Sequence, residues 1–177
     1  MDCNPELIAA AQNNTAKLGF SDRFALHTGE LADTRFLENL RMEASPVQLV
    51  MANPPWRLVG SGRLPATEAR RKALFGDKGT FPLFTSAASS LLEKDGRFAC
   101  IISPDRLQDM LAALDGAGLT PYLLQYIHKQ KTSPATFVLI EARKGAHAKP
   151  SVAEPIALYG QERFFTLESL AFCPFLR

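Results

Sequence analysis

Apolar residues along the chain follow two rhythms, and the switches between them mark the elements. Residues 4–18 keep a helical rhythm, with Leu7, Ile8, Ala11 and Leu18 brought toward one face by the 3.6-residue repeat. Asn4 suits the N-cap, Pro5 the first helical position, and Glu6 the positive end of the helix dipole. Gly19 suits the stop that follows. Residues 24–28 (FALHT) predict a short strand ending in Gly29-Glu30, and a helix is predicted over 33–42. Val47 to Ala52 is a mostly apolar run, as in a strand covered on both faces, and Asn53-Pro54-Pro55-Trp56 stops it. Further on, a helix is predicted over 81–94, a strand over 97–103 and a helix over 105–116. Strands over 122–128 and 135–142 follow, joined by the polar turn from Lys129 to Pro134. Strands alternating with amphipathic helices predict an α/β domain with a mainly parallel sheet. The last two strands, closely linked, predict an antiparallel C-terminal edge. Residues 1–145 hold this pattern; 146–177 are Pro-punctuated and weakly patterned, a tail expected to pack on the domain.

Composition adds exclusions. The length fits one domain at roughly 150 residues each. No run of about 18 apolar residues occurs, so no spanning helix and no membrane partner is expected. Met1-Asp2-Cys3 carries an acid and no basic cluster, unlike a secretory leader, so a cytoplasmic protein is expected. Cys3, Cys100 and Cys173 show no metal-ligand spacing and cannot all pair, so no metal and reduced thiols are expected. A net charge of +2 does not announce a nucleic-acid binder. Residues 57–79 stand apart, with Arg57, Arg63, Arg70, Arg71, Lys72 and Lys78 against Glu68 and Asp77. Gly60, Gly62 and Pro65 make part of this basic stretch loop.

The sharpest chemical signal is Asn53-Pro54-Pro55-Trp56 directly after a buried strand. In open α/β sheets, ligands bind beyond the carboxyl ends of strands. Two prolines fix φ and remove two backbone donors, leaving carbonyl acceptors. The Asn53 side-chain carbonyl and the Pro54 backbone carbonyl can hold both N–H groups of one amine, which localises the nitrogen lone pair. The indole of Trp56 offers a stacking face worth roughly 1–3 kcal/mol to a planar group. A planar amide and an exocyclic base amine both fit.

On these residues the chain resembles class I S-adenosylmethionine-dependent amino-methyltransferases, which carry an Asn/Asp-Pro-Pro-aromatic motif. More narrowly it is similar to the bacterial small-domain enzymes that methylate adenine N6 beside the anticodon of valine tRNA. Asp2 to Glu6 with the helix through Asn14 resembles the family's strand-two acid and following helix. Gly29-Glu30 stands where a Gly-Asp closes strand three. Gly60 to Arg63 with Glu68 to Arg71 resembles the basic insert, and Gly96-Arg97-Phe98 and 133–145 also fit. The resemblance implies a Rossmann-like sheet, S-adenosylmethionine as cofactor and tRNA as partner. It implies Asn53, Pro54, Pro55 and Trp56 as the catalytic set, and Asp2, Glu30 and Asn53 toward the cofactor, with Asp2 on the ribose hydroxyls and Glu30 on the adenine amine. Trp56, Arg63, Arg70 and Arg71 would meet the RNA. Trp56 replaces the commoner Tyr, and Glu30 is one methylene longer than Asp.

In this family strand one and a Gly-rich turn come first, and neither is found here. The expectation is an N-terminally truncated domain that binds S-adenosylmethionine weakly or not at all, and that is either poorly stable or self-associates through an exposed sheet edge. Two rivals share the motif: methylation of a protein glutamine, and an inactive fragment that binds RNA or a partner chain. His27, His128 and His147 read as strand or surface residues, and Ser61 and Ser103 have no evident base, which argues against a hydrolase.

Overall fold

The computed structural model describes residues 1–44, 46–58, 65–145, 149–160 and 164–173. The chain divides into two compact units, Met1–Ala44 and Ser45–Arg177.

The first unit holds α1 (Pro5–Lys17) and α2 (Thr34–Ala44). The Asn4 side chain accepts from the Glu6 N–H, as its capping role requires, and Gly19 takes a φ of 70° just past the helix. The predicted apolar face of α1 is only partly realised. Ile8 and Ala11 are half-buried, but Leu7 and Leu18 stay 54% and 67% exposed. Asp33 caps α2, accepting from the N–H groups of Arg35 and Phe36. The strand predicted over 24–28 is corrected to one isolated parallel bridge between Asp2 and Thr28. The Asp2 N–H donates to the His27 carbonyl and the Gly29 N–H to the Asp2 carbonyl, each at 3.2 Å. Because α1 starts at Pro5, little extended backbone is left to pair, and no ladder grows.

The second unit is built on a sheet of β1 (Val47–Ala52), β4 (Leu92–Ile102), β5 (Leu119–Gln130), β6 (Ala135–Lys144), β7 (Ser151–Val152) and β8 (Ile156–Tyr159). Its order is β1-β4-β6-β5-β7, with β8 also on β5. The pairs β1–β4, β5–β7 and β5–β8 are parallel; β6 runs antiparallel to both β4 and β5. The fold is therefore Rossmann-like α/β, mostly parallel, with the antiparallel hairpin toward one side and the tail's short strands β7 and β8 beyond it. A separate pair, β2 (Arg57–Leu58) with β3 (Phe75–Gly76), brackets α3 (Glu68–Leu74).

Helices α4 (Thr80–Leu91) and α5 (Leu107–Gly116) cover one face of this sheet. Phe81, Met110 and Leu114 pack there with Phe98, Ile102, Val138 and Ile140, all at most 2% exposed. The Thr85 hydroxyl of α4 donates to the Ala113 carbonyl of α5 at 3.0 Å, so the buried hydroxyl ties the two helices together.

Two expectations change. The helix predicted to 94 stops at Leu91, and Leu92 already pairs with Val47. The ladder then slips and resumes at Leu49–Arg97, with Asp95 at a φ of 64°. The Lys94-Asp95-Gly96 turn chemistry is accommodated as an irregularity at the start of β4. β1 is not covered on both faces either: Leu49 and Met51 are 42% and 76% exposed. Of β1, only Val47, Val50 and Ala52 pack on the core, on the face that α4 and α5 cover.

Candidate target-binding motif

β1 and β4 run in parallel with Ala52 aligned to Cys100, so the chain leaves β1 at the sheet's carboxyl end. Antiparallel β6 brings Phe137 to the same end, beside the Val138–Ile102 pair. Asn53 is exposed, Pro54 is fully buried, and Pro55 and Trp56 are half-buried. Strand alternation explains the split. Asn53 continues the Leu49–Met51 set and Pro54 the Val50–Ala52 set that packs on the core.

The Trp56 ring meets Phe137 edge-on, with centroids 6.2 Å apart and planes at 74°, and the Arg57 guanidinium lies over it at 5.2 Å. Its carbonyl accepts from Arg106 Nη1 at 2.6 Å. The Pro55 carbonyl lies only 2.5 Å from where a Cβ on residue 76 would sit, so Gly76 is what lets β3 close against the motif. Asn53 also lines an open, largely apolar concavity of about 610 Å³ on the sheet face away from α4 and α5, with Met51, Ile101, Leu123, Leu139 and Glu141.

The basic excursion starts and ends beside this motif, because Arg57 pairs with Phe75 and Leu58 with Gly76. Thr67 caps α3, its hydroxyl accepting from the Arg70 N–H at 3.4 Å. Arg70 and Arg71 are exposed on that short helix. Arg63, with Gly60, Ser61 and Gly62, lies outside the described residues, as does His147.

Asp2 and Glu30 belong to the first unit. Asp2 Oδ1 accepts from the Asn4 N–H at 2.8 Å, and the bridge to Thr28 sets Asp2 two residues from Glu30. Gly29 is required here, since a Cβ would lie 2.3 Å from the Phe36 ring. The exposed Glu30 is thus held between an obligatory glycine and the Asp33 N–H, which donates to its carbonyl at 3.0 Å.

The remaining candidates have structural surroundings. His27 faces Glu43 at 3.9 Å, His128 Nδ1 lies 2.7 Å from the Ser133 carbonyl, and the Ser103 hydroxyl donates to Asp105. The three cysteines are unpaired, and burial pushes the Cys100 thiol up to about 12, far from a nucleophile's range. Among the described residues no cluster of three or more His, Cys, Asp or Glu could hold a metal, and no helix is long and apolar enough to cross a membrane.

Sequence reasoning overlooked Arg106. The available signal is an arginine in the first turn after a buried strand, Ser103-Pro104-Asp105-Arg106, with an acid three residues on at Asp109.

No family model and no curated protein matches the chain. Among solved structures it is similar to a predicted O-methyltransferase from Agrobacterium tumefaciens, with a TM-score of 0.69 and 20% identity, covering 98% of this chain and 73% of that one. It is also similar to a putative rRNA methylase from Clostridium thermocellum, TM-score 0.51 and 20% identity over 80% of this chain and 72% of that one. A third is an O-methyltransferase family 2 protein from Planctomyces limnophilus in complex with apigenin, TM-score 0.51 and 16% identity, over 81% and 41%. The chain has the Rossmann-like fold of methyltransferases.

Proposed function

We propose that the chain is an S-adenosylmethionine-dependent methyltransferase acting on an amine, adenine N6 in RNA, with a cytoplasmic tRNA near its anticodon as the target. Asn53-Pro54-Pro55-Trp56 carries this reading: an exposed amide, a buried proline and an anchored indole at the carboxyl end of β1. The Asn53 side-chain carbonyl and the Pro54 carbonyl accept the two N–H groups of the target amine and aim its lone pair. Trp56 stacks on the base for roughly 1–3 kcal/mol. Positioning and polarisation then supply the catalysis.

S-adenosylmethionine, when bound, supplies a methyl carbon made electrophilic by its sulfonium. The acids present suit its nucleoside part. With Oδ1 occupied by the Asn4 N–H, Asp2 has Oδ2 to accept from the ribose hydroxyls, and Glu30 is the carboxylate for the adenine amine. Arg63, Arg70 and Arg71 hold phosphates and supply affinity without sequence information.

The test is methyl transfer from tritiated S-adenosylmethionine to unmodified tRNA transcripts, with digestion to nucleosides to identify the product. Asn53→Ala lowers turnover about 10²–10³-fold, the scale for losing one preorganised polar contact in a transition state, with cofactor affinity kept. Trp56→Tyr retains activity and Trp56→Ala loses it. Equal turnover of Asn53→Ala and the parent would sink the clamp. Label found in a protein glutamine instead of RNA would keep the clamp and overturn the substrate.

A further inference from the structure

Arg106 closes the turn Pro104–Arg106 between β4 and α5 and is only 4% exposed. A guanidinium is buried at a cost unless each side of it is matched, and here the matches are specific. Nε donates to Asp109 Oδ2 at 2.7 Å, Nη1 donates to the Trp56 carbonyl at 2.6 Å, and the cation lies 4.5 Å above the Phe81 ring. The five N–H groups of arginine form a rigid planar fork. With Nε held by Asp109 and the plane held by Phe81, the direction of Nη1 is fixed. The Trp56 carbonyl must therefore point at it. That carbonyl belongs to the Trp56–Arg57 peptide, whose orientation sets both the Trp56 backbone and the starting direction of Arg57.

We propose that Arg106 is a positioning residue for the target-binding motif. It locks the Trp56–Arg57 peptide, and so holds the indole against Phe137 with one face toward Arg57. The side chain of Arg106 is engaged by Asp109, Phe81 and the Trp56 carbonyl, so it acts through Trp56. The effect on turnover rests on the amine-clamp reading given above, whereas the locking of the ring does not.

Trp56 is the only tryptophan of the chain, so indole fluorescence reads this ring alone. In Arg106→Lys the charge stays but the fork is lost. The expected result is a red-shifted Trp56 emission and an acrylamide quenching constant raised about twofold, as a packed ring gains motion. Turnover falls about tenfold, equivalent to 1.4 kcal/mol, with the KM for S-adenosylmethionine unchanged. Asp109→Asn alters a carboxylate that is 60% exposed, so the fold is kept. It shifts emission and turnover in the same direction by a smaller amount. Unchanged emission and quenching in Arg106→Lys overturns the proposal, including when turnover falls together with thermal stability. Should Arg106→Lys fail to fold, Asp109→Asn decides alone, and unchanged emission there overturns it. Absence of methyl transfer by the parent itself would instead remove the amine-clamp reading, and the fluorescence comparison would still test the locking.

Discussion

The two faces of the sheet β1-β4-β6-β5 share strands and register, yet they are unlike. On one, α4 and α5 seal Phe98, Ile102, Val138 and Ile140 to at most 2% exposure. On the other, Ile101, Leu139 and Glu141 line an open concavity, and Met51 is 76% exposed. The same alternation runs out of the end of β1 into the motif. Pro54 falls in step with the covered set and anchors the turn; Asn53 falls in step with the open set and stays accessible. A chemical group and its anchor are thus adjacent in sequence because adjacent strand residues face opposite ways.

The comparison breaks if truncation costs the same on both faces. Phe98→Ala on the covered face should destabilise by about 3–5 kcal/mol, the usual cost of emptying a packed aromatic site. Urea unfolding monitored by circular dichroism measures it.

The covered face should also impose a pH dependence through Cys100. Burial holds the thiol neutral, raising its pKa to about 12 from an ordinary value of 9.0. Above pH 9 the unfolded chain releases this proton and the folded chain keeps it, so the unfolded state binds fewer protons and stability falls as pH rises. Between pH 9 and 11 the loss is about 2–3 kcal/mol, at about 1.4 kcal/mol for each pH step. Cys100→Ala should flatten that segment of a stability-against-pH curve. An identical slope in the variant would mean that other groups carry it.

A smaller effect sharpens the picture where the covered face meets a helix end. Lys144 follows Val138, Ile140 and Ala142 along β6, and its Nζ donates to the carbonyls of Ser89 and Leu92 at 2.6 and 2.7 Å. These close the C-terminus of α4, where a cation is favoured by the helix dipole. Lys144→Met should cost about 1.5 kcal/mol, the lower range for a hydrogen bond to a charged group, read as a lowered unfolding midpoint.

Smallest of all is the open face. Met51→Ala should change stability by no more than about 0.5 kcal/mol, as at exposed positions generally. A cost near that of Phe98→Ala would show that the exposed face is covered in solution.

Much of this was legible from the residues. The run Val47–Ala52 appears as a strand with unchanged limits, and the motif after it lies at the sheet's carboxyl end. Asn4 and Gly19 bound α1 through cap chemistry, which depends only on neighbours in the chain. The antiparallel pair joined by a polar turn is β5 and β6. Local signals of this kind carry their own physics: a proline lacks its N–H, a glycine tolerates positive φ, and a strand alternates every two residues.

Other features are decided by what packs against what. A run as apolar as Val47–Ala52 reads as covered on both faces; in the packed sheet Val47, Val50 and Ala52 meet the core and Met51 is left exposed. Residues 24–28 have strand composition but form a single bridge, because the backbone opposite them turns into α1 at Pro5 and leaves only Asp2 to pair. Gly76 looks like any loop glycine until the Pro55 carbonyl is brought within 2.5 Å of its missing Cβ. Arg106 sits fifty residues beyond Trp56 and meets its carbonyl only because β1 and β4 run side by side and end together. The sequence by itself therefore determined the Asn53-Pro54-Pro55-Trp56 motif and where the strand that carries it stops. Tertiary structure alone decided which of the motif's residues is accessible, which is buried, and which distant cation bonds the Trp56 carbonyl, since burial and long-range contacts are properties of the packed sheet.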